Sequence, residues 1–264
     1  MNIAAIVVAA GASTRAGGGV PKPYRNLGGE PVLAHAIRSL LQHERIGTLR
    51  VVIGAGHEAY FETVASAMND DRLSSPVFGG ATRGESVLAG LESVEAEHVI
   101  VHDGARPFPD LSATEILLDK LQRYDAVFLA LPVHDTLCYI DSDGTIARGP
   151  DRQNLWRAQT PQGFRRNAIL RAYRAVGTSE TDDISVARAA GVHAVAVPGS
   201  EANLKITVPE DFEVAARILG QDSTSSGKDA LQSDKSGLPG PRDVDERGER
   251  RNQPTDRSAR KDEE

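Results

Sequence analysis

The sequence predicts an α/β protein built on a doubly wound, mostly parallel sheet, and three observations predict it. The chain has 264 residues, 40% hydrophobic and 5% aromatic, which suits one α/β body better than two domains. From residue 1 to 220, short apolar runs alternate with amphipathic stretches, the pattern of repeated β–α units. The opening run, residues 3–10 (IAAIVVAA), is apolar at every position, as a strand covered on both faces must be. A functional site is expected at the C-terminal ends of such strands.

Each further element follows from its own residues. Residues 31–41 predict a helix, with Pro31 at an early helical position and one apolar stripe of Val32, Leu33, Ala36, Ile37, Leu40 and Leu41. A strand at 50–53, a helix at 58–68 and a short strand around Val77 come next. The alternation continues through a helix at 85–91, a strand at 98–102, a helix at 112–121 and a strand at 126–131. After a strand at 194–197, a last helix starts near Pro209, where Thr207 and Glu210 have capping-box spacing. One stretch departs from the alternation. Residues 132–156 carry Thr-Leu-Cys-Tyr-Ile, then Asp143-Gly144, then Thr-Ile-Ala, which predicts a β-hairpin closed by a type I′ turn. Its apolar side must be covered by a second subunit or by its own domain, and the sequence leaves both open.

Composition sets limits. The net charge of −7 excludes a global field that draws the chain to nucleic acid or anionic lipid. A phosphate site must therefore be a local group of cations. The single cysteine, Cys138, excludes an internal disulfide framework and fits a reducing compartment. No basic residue precedes the N-terminal apolar run, which is too short for a signal peptide or a membrane span, so a cytoplasmic location is expected. The seven histidines show no metal-binding spacing. Residues 221–264 contain no aromatic residue, 11 acidic and 9 basic ones, and repeated Gly, Pro and Ser. They read as a disordered polar tail after a domain at 1–220, or alternatively as a linker.

Three glycine-rich loops carry the candidate chemistry. The first runs from Gly11 to Pro23 directly after the first strand and holds two cations, Arg15 and Lys22. Glycines let amides approach phosphate oxygens, and fixed cations stabilise charge that grows on a phosphorus under attack. The loop lacks the Gly-Lys-Ser/Thr of a Walker motif, and a surface loop with two solvated charges has the same composition. The second is VIVHDGARP, in which Asp103 ends a strand and Arg106 follows. Its carboxylate is placed to orient a magnesium triphosphate or its waters, or to cap the next turn. The third, FGGATRGES, opens a helix near Ser86, whose N-terminus suits a base edge or a phosphate; Ser86 as a simple cap is the other reading. Asp151-Arg152 and Asn203-Leu204-Lys205 add one cation each.

Together these loops resemble the 2-C-methyl-D-erythritol 4-phosphate cytidylyltransferase family. The likeness runs from about Ile3 to Leu219 through VVAAGASTRAGGGVPKPY, GGATRGESVLAGL, VIVHDGARP, PVHDT, DRQNLWRAQTPQGF, ETDDISVARAAG and NLKITVPEDF, in that order. The resemblance implies a Rossmann-like nucleotidyltransferase fold and transfer of a cytidylyl group from CTP, with Mg²⁺, to a methylerythritol phosphate, releasing pyrophosphate. By resemblance, Arg15 and Lys22 act on the α-phosphorus and Arg152 and Lys205 position the acceptor. Ala9, Ala10, Gly11, Gly80 and Ser86 contact the base and ribose, Asp103 and Arg106 line the site, and Thr136 and Thr181 touch the acceptor. Asp103 is also a candidate metal contact, directly or through water. The 132–156 hairpin matches the family's protruding arm, which implies a homodimer. Val8 stands where many members carry proline, and Ala81 where an acidic residue often follows the double glycine. Some members continue into a cyclodiphosphate synthase; the tail has no Asp-x-His motif, so no second activity is expected. Two rivals remain at this level: a cytidylyltransferase for another polyol phosphate such as ribitol 5-phosphate, and a nucleotide-binding regulator without catalysis.

Overall fold

The first strand divides its side chains between two cores, and that division organises the molecule. In the computed structural model, which describes residues 2–11, 19–147 and 149–224, β1 spans Ile3–Ala9. Ile3, Ala5, Val7 and Ala9 face one core and Ala4 and Ile6 the other. All six are at most 1% exposed, so every residue on either face gains by leaving water.

A 3-10 turn at Lys22–Tyr24 is followed by the two-residue strands β2 (Asn26–Leu27) and β3 (Glu30–Pro31) and by helix α1 (Val32–Leu41). Then come β4 (Ile46–Ile53), α2 (Glu58–Ser66), β5 (Val77–Phe78), α3 (Arg83–Glu92), β6 (His98–Asp103) and α4 (Leu111–Lys120). The second half holds β7 (Ala126–Pro132), β8 (Tyr139–Ile140), β9 (Ile146–Ala147), β10 (Trp156–Arg165), α5 (Arg166–Val176), α6 (Asp183–Ala189), β11 (Ala194–Pro198) and α7 (Glu210–Thr224).

Seven strands form one sheet in the order β11-β7-β10-β6-β1-β4-β5. Its pairs are parallel except those of β10, which runs antiparallel between β6 and β7. Side chains of α1, α2 and α4, such as Leu33, Ile37, Phe61 and Leu117, fill the core on one face. Those of α3, α5 and α6, such as Leu91, Ile169, Tyr173 and Val186, fill the other. The expected doubly wound sheet is thus present.

Four local expectations are corrected. Helix α3 starts at Arg83, two residues before the expected 85, because Thr82 and Glu85 form a complete capping box. At α7 the capping-box reading of Thr207 and Glu210 fails. The Asp211 carboxylate takes the amides of Thr207 (2.5 Å) and Val208 (2.9 Å), and the Thr207 hydroxyl donates to Lys205 O. The turn between β8 and β9 is not type I′, since Asp143 keeps negative φ and Gly144 alone has φ +84°. It is a three-residue loop closed by Gly144 N–H to Asp141 O and Asp141 N–H to Thr145 O. Finally, α7 runs to Thr224, four residues past the boundary expected at 220. Residues 225–264 lie outside the described residues, as do residues 12–18 with Arg15.

The hairpin leaves its apolar side chains in the open: Tyr139 is 62% exposed, Ile140 60% and Ile146 68%. These side chains do not fold back onto the described residues of their own domain. No helix among the described residues is long and apolar enough to cross a membrane.

Candidate active site

Three parallel strands end at one edge. In register, Val8 lies beside Asp103 of β6 and Ala9 beside Ile53 of β4. The Gly104 amide donates to Val8 O at 2.9 Å, tying the turn after β6 to the end of β1. A Cβ at Gly104 would stand 3.1 Å from that carbonyl, so this close approach favours glycine. The Ile206 amide donates to Ala105 O at 2.9 Å and brings the Lys205 segment against the same turn.

Asp103 is the centre of the arrangement. Its Oδ1 accepts from Arg83 Nε at 3.1 Å and its Oδ2 from Lys205 Nζ at 2.8 Å, while Arg106 Nε stands 3.8 Å from Oδ2. Burial alone would raise the carboxyl pKa. The Arg83 and Lys205 charges outweigh it and hold Asp103 well below the usual carboxylate range. Arg83 in turn grips Asp183 with both terminal nitrogens, at 3.0 and 2.9 Å, and Tyr173 Oη also donates to Asp183. Burial pushes the Tyr173 phenol up, and the Asp183 carboxylate adds to the shift.

The backbone beneath Asp103 is fixed by a second chain of bonds. The Asp103 amide donates to Thr160 Oγ1 (3.0 Å), the Thr160 hydroxyl to His102 Nδ1 (3.1 Å), and His102 Nε2–H to Arg106 O (2.9 Å). Each group has one role open to it, so the chain selects the Nε2–H tautomer. Full burial lowers the His102 pKa to about 4, keeping the ring neutral.

Of the residues expected at the base and ribose, Ala10 and Ser86 converge on Gly79: a Cβ there would lie 2.6 Å from Ala10 Cβ and 2.5 Å from Ser86 Oγ. Ser86 is not a cap; its hydroxyl, inside α3, donates to Thr82 O. The α3 N-terminus is also less open to phosphate than expected. Glu85 Oε2 already accepts from the amides of Ala81 (2.6 Å) and Thr82 (3.2 Å), and its side chain fills the space beside Gly80. An anion placed there would meet the Glu85 carboxylate. Gly11 is exposed, and Lys22 Nζ donates to Thr207 O at 2.6 Å, two residues beyond Lys205.

The remaining expected residues are not joined to Asp103 by hydrogen bonds within the described chain. Arg152 donates to His134 O (2.9 Å) at the base of the hairpin, near the exposed Thr136. Thr181 is exposed, two residues before Asp183. A hollow of about 340 Å³ opens next to the cluster, lined by Arg106, Arg157, Gln159, Glu201 and Lys205 among others, the size range of a small-molecule site. A larger one of about 670 Å³, between α1 and α7, contains none of these residues.

Among the described residues no group of three or more His, Cys, Asp or Glu side chains is arranged to hold a metal. Arg83 and Lys205 each take one acceptor position on Asp103 and their charges oppose a cation there, so the donor set fits a contact through water better than direct ligation.

The sequence motifs do not mark Arg83, Asp183, Tyr173, Thr160 or His102 as site residues. Arg83 and Asp183 lie at helix starts, where charges read as caps. A signal was nevertheless present in the doubled aspartate: Asp182 alone caps α6, accepting from the Ser185 amide at 2.7 Å, which leaves Asp183 for another purpose.

Residues 3–221 match the family model described as 2-C-methyl-D-erythritol 4-phosphate cytidylyltransferase. The chain belongs to this family. The bifunctional enzyme IspD/IspF of Rhizorhabdus wittichii is 45% identical over 227 residues, covering 85% of this chain and 58% of that protein. The chain thus spans about 60% of the length of the bifunctional relatives it matches. The 2-C-methyl-D-erythritol 4-phosphate cytidylyltransferase of Cereibacter sphaeroides is 41% identical over 224 residues, covering 83% of this chain and 97% of that one. The crystal structure of 4-diphosphocytidyl-2C-methyl-D-erythritol synthase from Anaerococcus prevotii superposes with a TM-score of 0.73. It is 28% identical and covers 83% of this chain and 96% of that one. These cytidylyltransferases share the sheet described above, with its nucleotidyltransferase fold.

Proposed function

We propose that this chain transfers the cytidylyl group of CTP to 2-C-methyl-D-erythritol 4-phosphate, giving 4-diphosphocytidyl-2-C-methyl-D-erythritol and pyrophosphate. The observation that carries this reading is the cation-balanced Asp103 at the strand ends, with Lys205 and Arg106 beside a small hollow, in a chain of this family.

In the reaction an acceptor phosphate oxygen bonds to the α-phosphorus of CTP, and the bond from that phosphorus to the β-phosphate bridge oxygen breaks. Both reactants are anions, so the site must lower their repulsion and hold them in line. Ala9, Ala10, Gly11, Gly80 and Ser86 take the base and ribose. Arg15 and Lys22 stabilise the charge that spreads over the α-phosphorus and the departing pyrophosphate. Lys205 and Arg152 hold the acceptor phosphate, with Thr136 and Thr181 on its hydroxyls. Asp103 keeps Lys205 aimed, and Arg106 flanks it. Asp103 would be the residue to contact a Mg²⁺ ion brought by the triphosphate, through water, and the ion would supply charge neutralisation on the phosphates. The working unit in this reading is a cytoplasmic homodimer joined through the exposed hairpin.

Pyrophosphate release is the decisive measurement, with CTP and a panel of polyol phosphates. Methylerythritol phosphate should give the highest kcat/KM. Faster turnover with ribitol 5-phosphate overturns the acceptor, and release with no acceptor in the panel overturns the activity. Within the active protein, Lys205→Ala should leave CTP affinity near wild type, raise acceptor KM and lower kcat. Loss of CTP binding would refute the acceptor role.

A further inference from the structure

The site has an aspect that sequence motifs and family resemblance do not assign. The Lys205 side chain is 45% exposed and ends in an ammonium on four flexible carbons. For such a group to meet a phosphate oxygen in one place, something must hold it. Asp103 Oδ2 does so at 2.8 Å, but a carboxylate rotates about its own axis unless its other oxygen is held too. Arg83 holds that oxygen through Nε at 3.1 Å.

Arg83 is itself anchored more firmly than a surface arginine. Its two terminal nitrogens form a fork on Asp183, which is fully buried, at 3.0 and 2.9 Å. Tyr173 Oη, on the buried face of α5, donates to the same carboxylate. Two buried acids thus share one guanidinium, and its three nitrogens divide between them with no freedom to turn. A row of five groups results: Tyr173, Asp183, Arg83, Asp103 and Lys205. It starts in the core between α3, α5 and α6 and ends at the exposed ammonium.

We propose that Arg83 is a positioning residue for the acceptor phosphate: anchored by Asp183 and Tyr173, it fixes Asp103 Oδ1 so that Oδ2 holds Lys205 in line for the reaction. This inference rests on the proposed cytidylyl transfer. Lysine cannot replace arginine here, since a single ammonium cannot reach Asp103 and still fork on Asp183.

The test compares kinetics in two backgrounds, by pyrophosphate release with CTP and methylerythritol phosphate. In the otherwise wild-type protein, Arg83→Lys should lower kcat by about 10²-fold, as expected for a reacting group displaced by an ångström or so. Acceptor KM should rise, while CTP KM stays within about threefold. In a Lys205→Ala background the same change should cost almost nothing further, because the group it positions is already gone. An equal fold-loss in both backgrounds overturns the proposal and leaves Arg83 a structural residue. So does a rise in CTP KM that matches the rise for the acceptor. Should Arg83→Lys fail to fold, Tyr173→Phe decides by the same comparison, since it removes one hydroxyl and keeps the ring in place. Its loss of kcat should be smaller, about tenfold, and should likewise vanish when Lys205 is absent. If the unsubstituted protein releases no pyrophosphate with any polyol phosphate, the functional reading has failed instead, and that result is distinct from additive losses in an active enzyme.

Discussion

At His102 and Asp103 the same burial acts on two adjacent side chains with opposite results. Both lose solvation. Asp103 regains it from Arg83 and Lys205 and stays ionised, while His102 receives neutral partners and gives up its proton. The consequences for stability separate by pH. Asp103 has a depressed folded pKa, so its contribution is full above its unfolded value of about 3.9 and is lost only in strong acid. His102 binds no proton when folded until near pH 4, yet the unfolded ring takes one from about pH 6.5. The unfolded state thus binds more protons between those values, and stability falls as pH falls through that window. Linkage gives about 2 kcal/mol lost between pH 7 and 5, or a melting point about 4–8 °C lower for a domain this size. His98, also lowered by burial, adds to the same trend. His102→Gln keeps one donor and one acceptor without titrating. Its melting point should therefore depend less on pH than that of wild type over this range; identical slopes would refute the assignment. Single loops in the sequence showed where Asp103, Lys205 and Ser86 lie, because glycines and charges at strand ends are local signals. They did not show Thr160 or Asp183, whose importance comes from partners 57 and 100 residues away in the chain.

At the scale of elements, what the sequence revealed depended on whether an element's residues were sufficient to specify it. β1 was legible because an all-apolar run has one explanation, and α1 because its stripe has one period. β10 was not predicted. Pro161 and polar Gln159, Thr160 and Gln162 argue against a central strand, yet residues 159–164 are all buried between β6 and β7. Their polar groups are met by distant ones: Gln159 Nε2 by Ser200 O, and the Thr160 carbonyl by Asn203 Nδ2. The hairpin turn differs from the type I′ expectation for a related reason, since an Asp-Gly pair serves both a two-residue and a three-residue loop. Helix α3 gives a test of packing against propensity. A Cβ on Gly90 would come 2.5 Å from Ile6 Cγ2 and 2.9 Å from Val52 Cγ2, both in fully buried strand residues. Ala in place of a helical Gly gains about 1 kcal/mol of propensity, whereas overpacking costs about 1–3 kcal/mol. The clash is with atoms that cannot swing away, so Gly90→Ala should lower the melting point. A higher one would show that α3 can lift from the sheet at little cost. At the start of the same helix, Thr82→Ala removes the capping hydroxyl and should cost about 1 kcal/mol.

For the whole molecule the open question is what covers the hairpin. Ile140 and Ile146 are cross-strand partners, 60% and 68% exposed, and Leu137 and Tyr139 extend the apolar surface. Neither isoleucine is in the described cores, so charging both should leave the domain folded. A two-stranded ribbon this short is marginal alone in water, which favours its packing on a second chain. Ile140→Asp combined with Ile146→Asp should then shift sedimentation from dimer to monomer with little change in melting point. A monomeric wild type would end the dimer reading at once. Arg152, bonded to His134 O at the hairpin base, supplies the functional half of the argument. It has no hydrogen bond to the Asp103 cluster of its own chain among the described residues, whereas Lys22 reaches Thr207 beside Lys205. If Arg152 serves the neighbouring subunit, the two cations of one working site come from different chains. Arg152→Ala and Lys22→Ala homodimers would each be inactive. A mixed dimer would hold one site damaged twice and one intact, so mixing should restore up to about a quarter of wild-type activity when subunits exchange freely. Activity that stays at the level of the separate variants, with exchange confirmed by differently tagged chains, would place Arg152 in its own subunit's site.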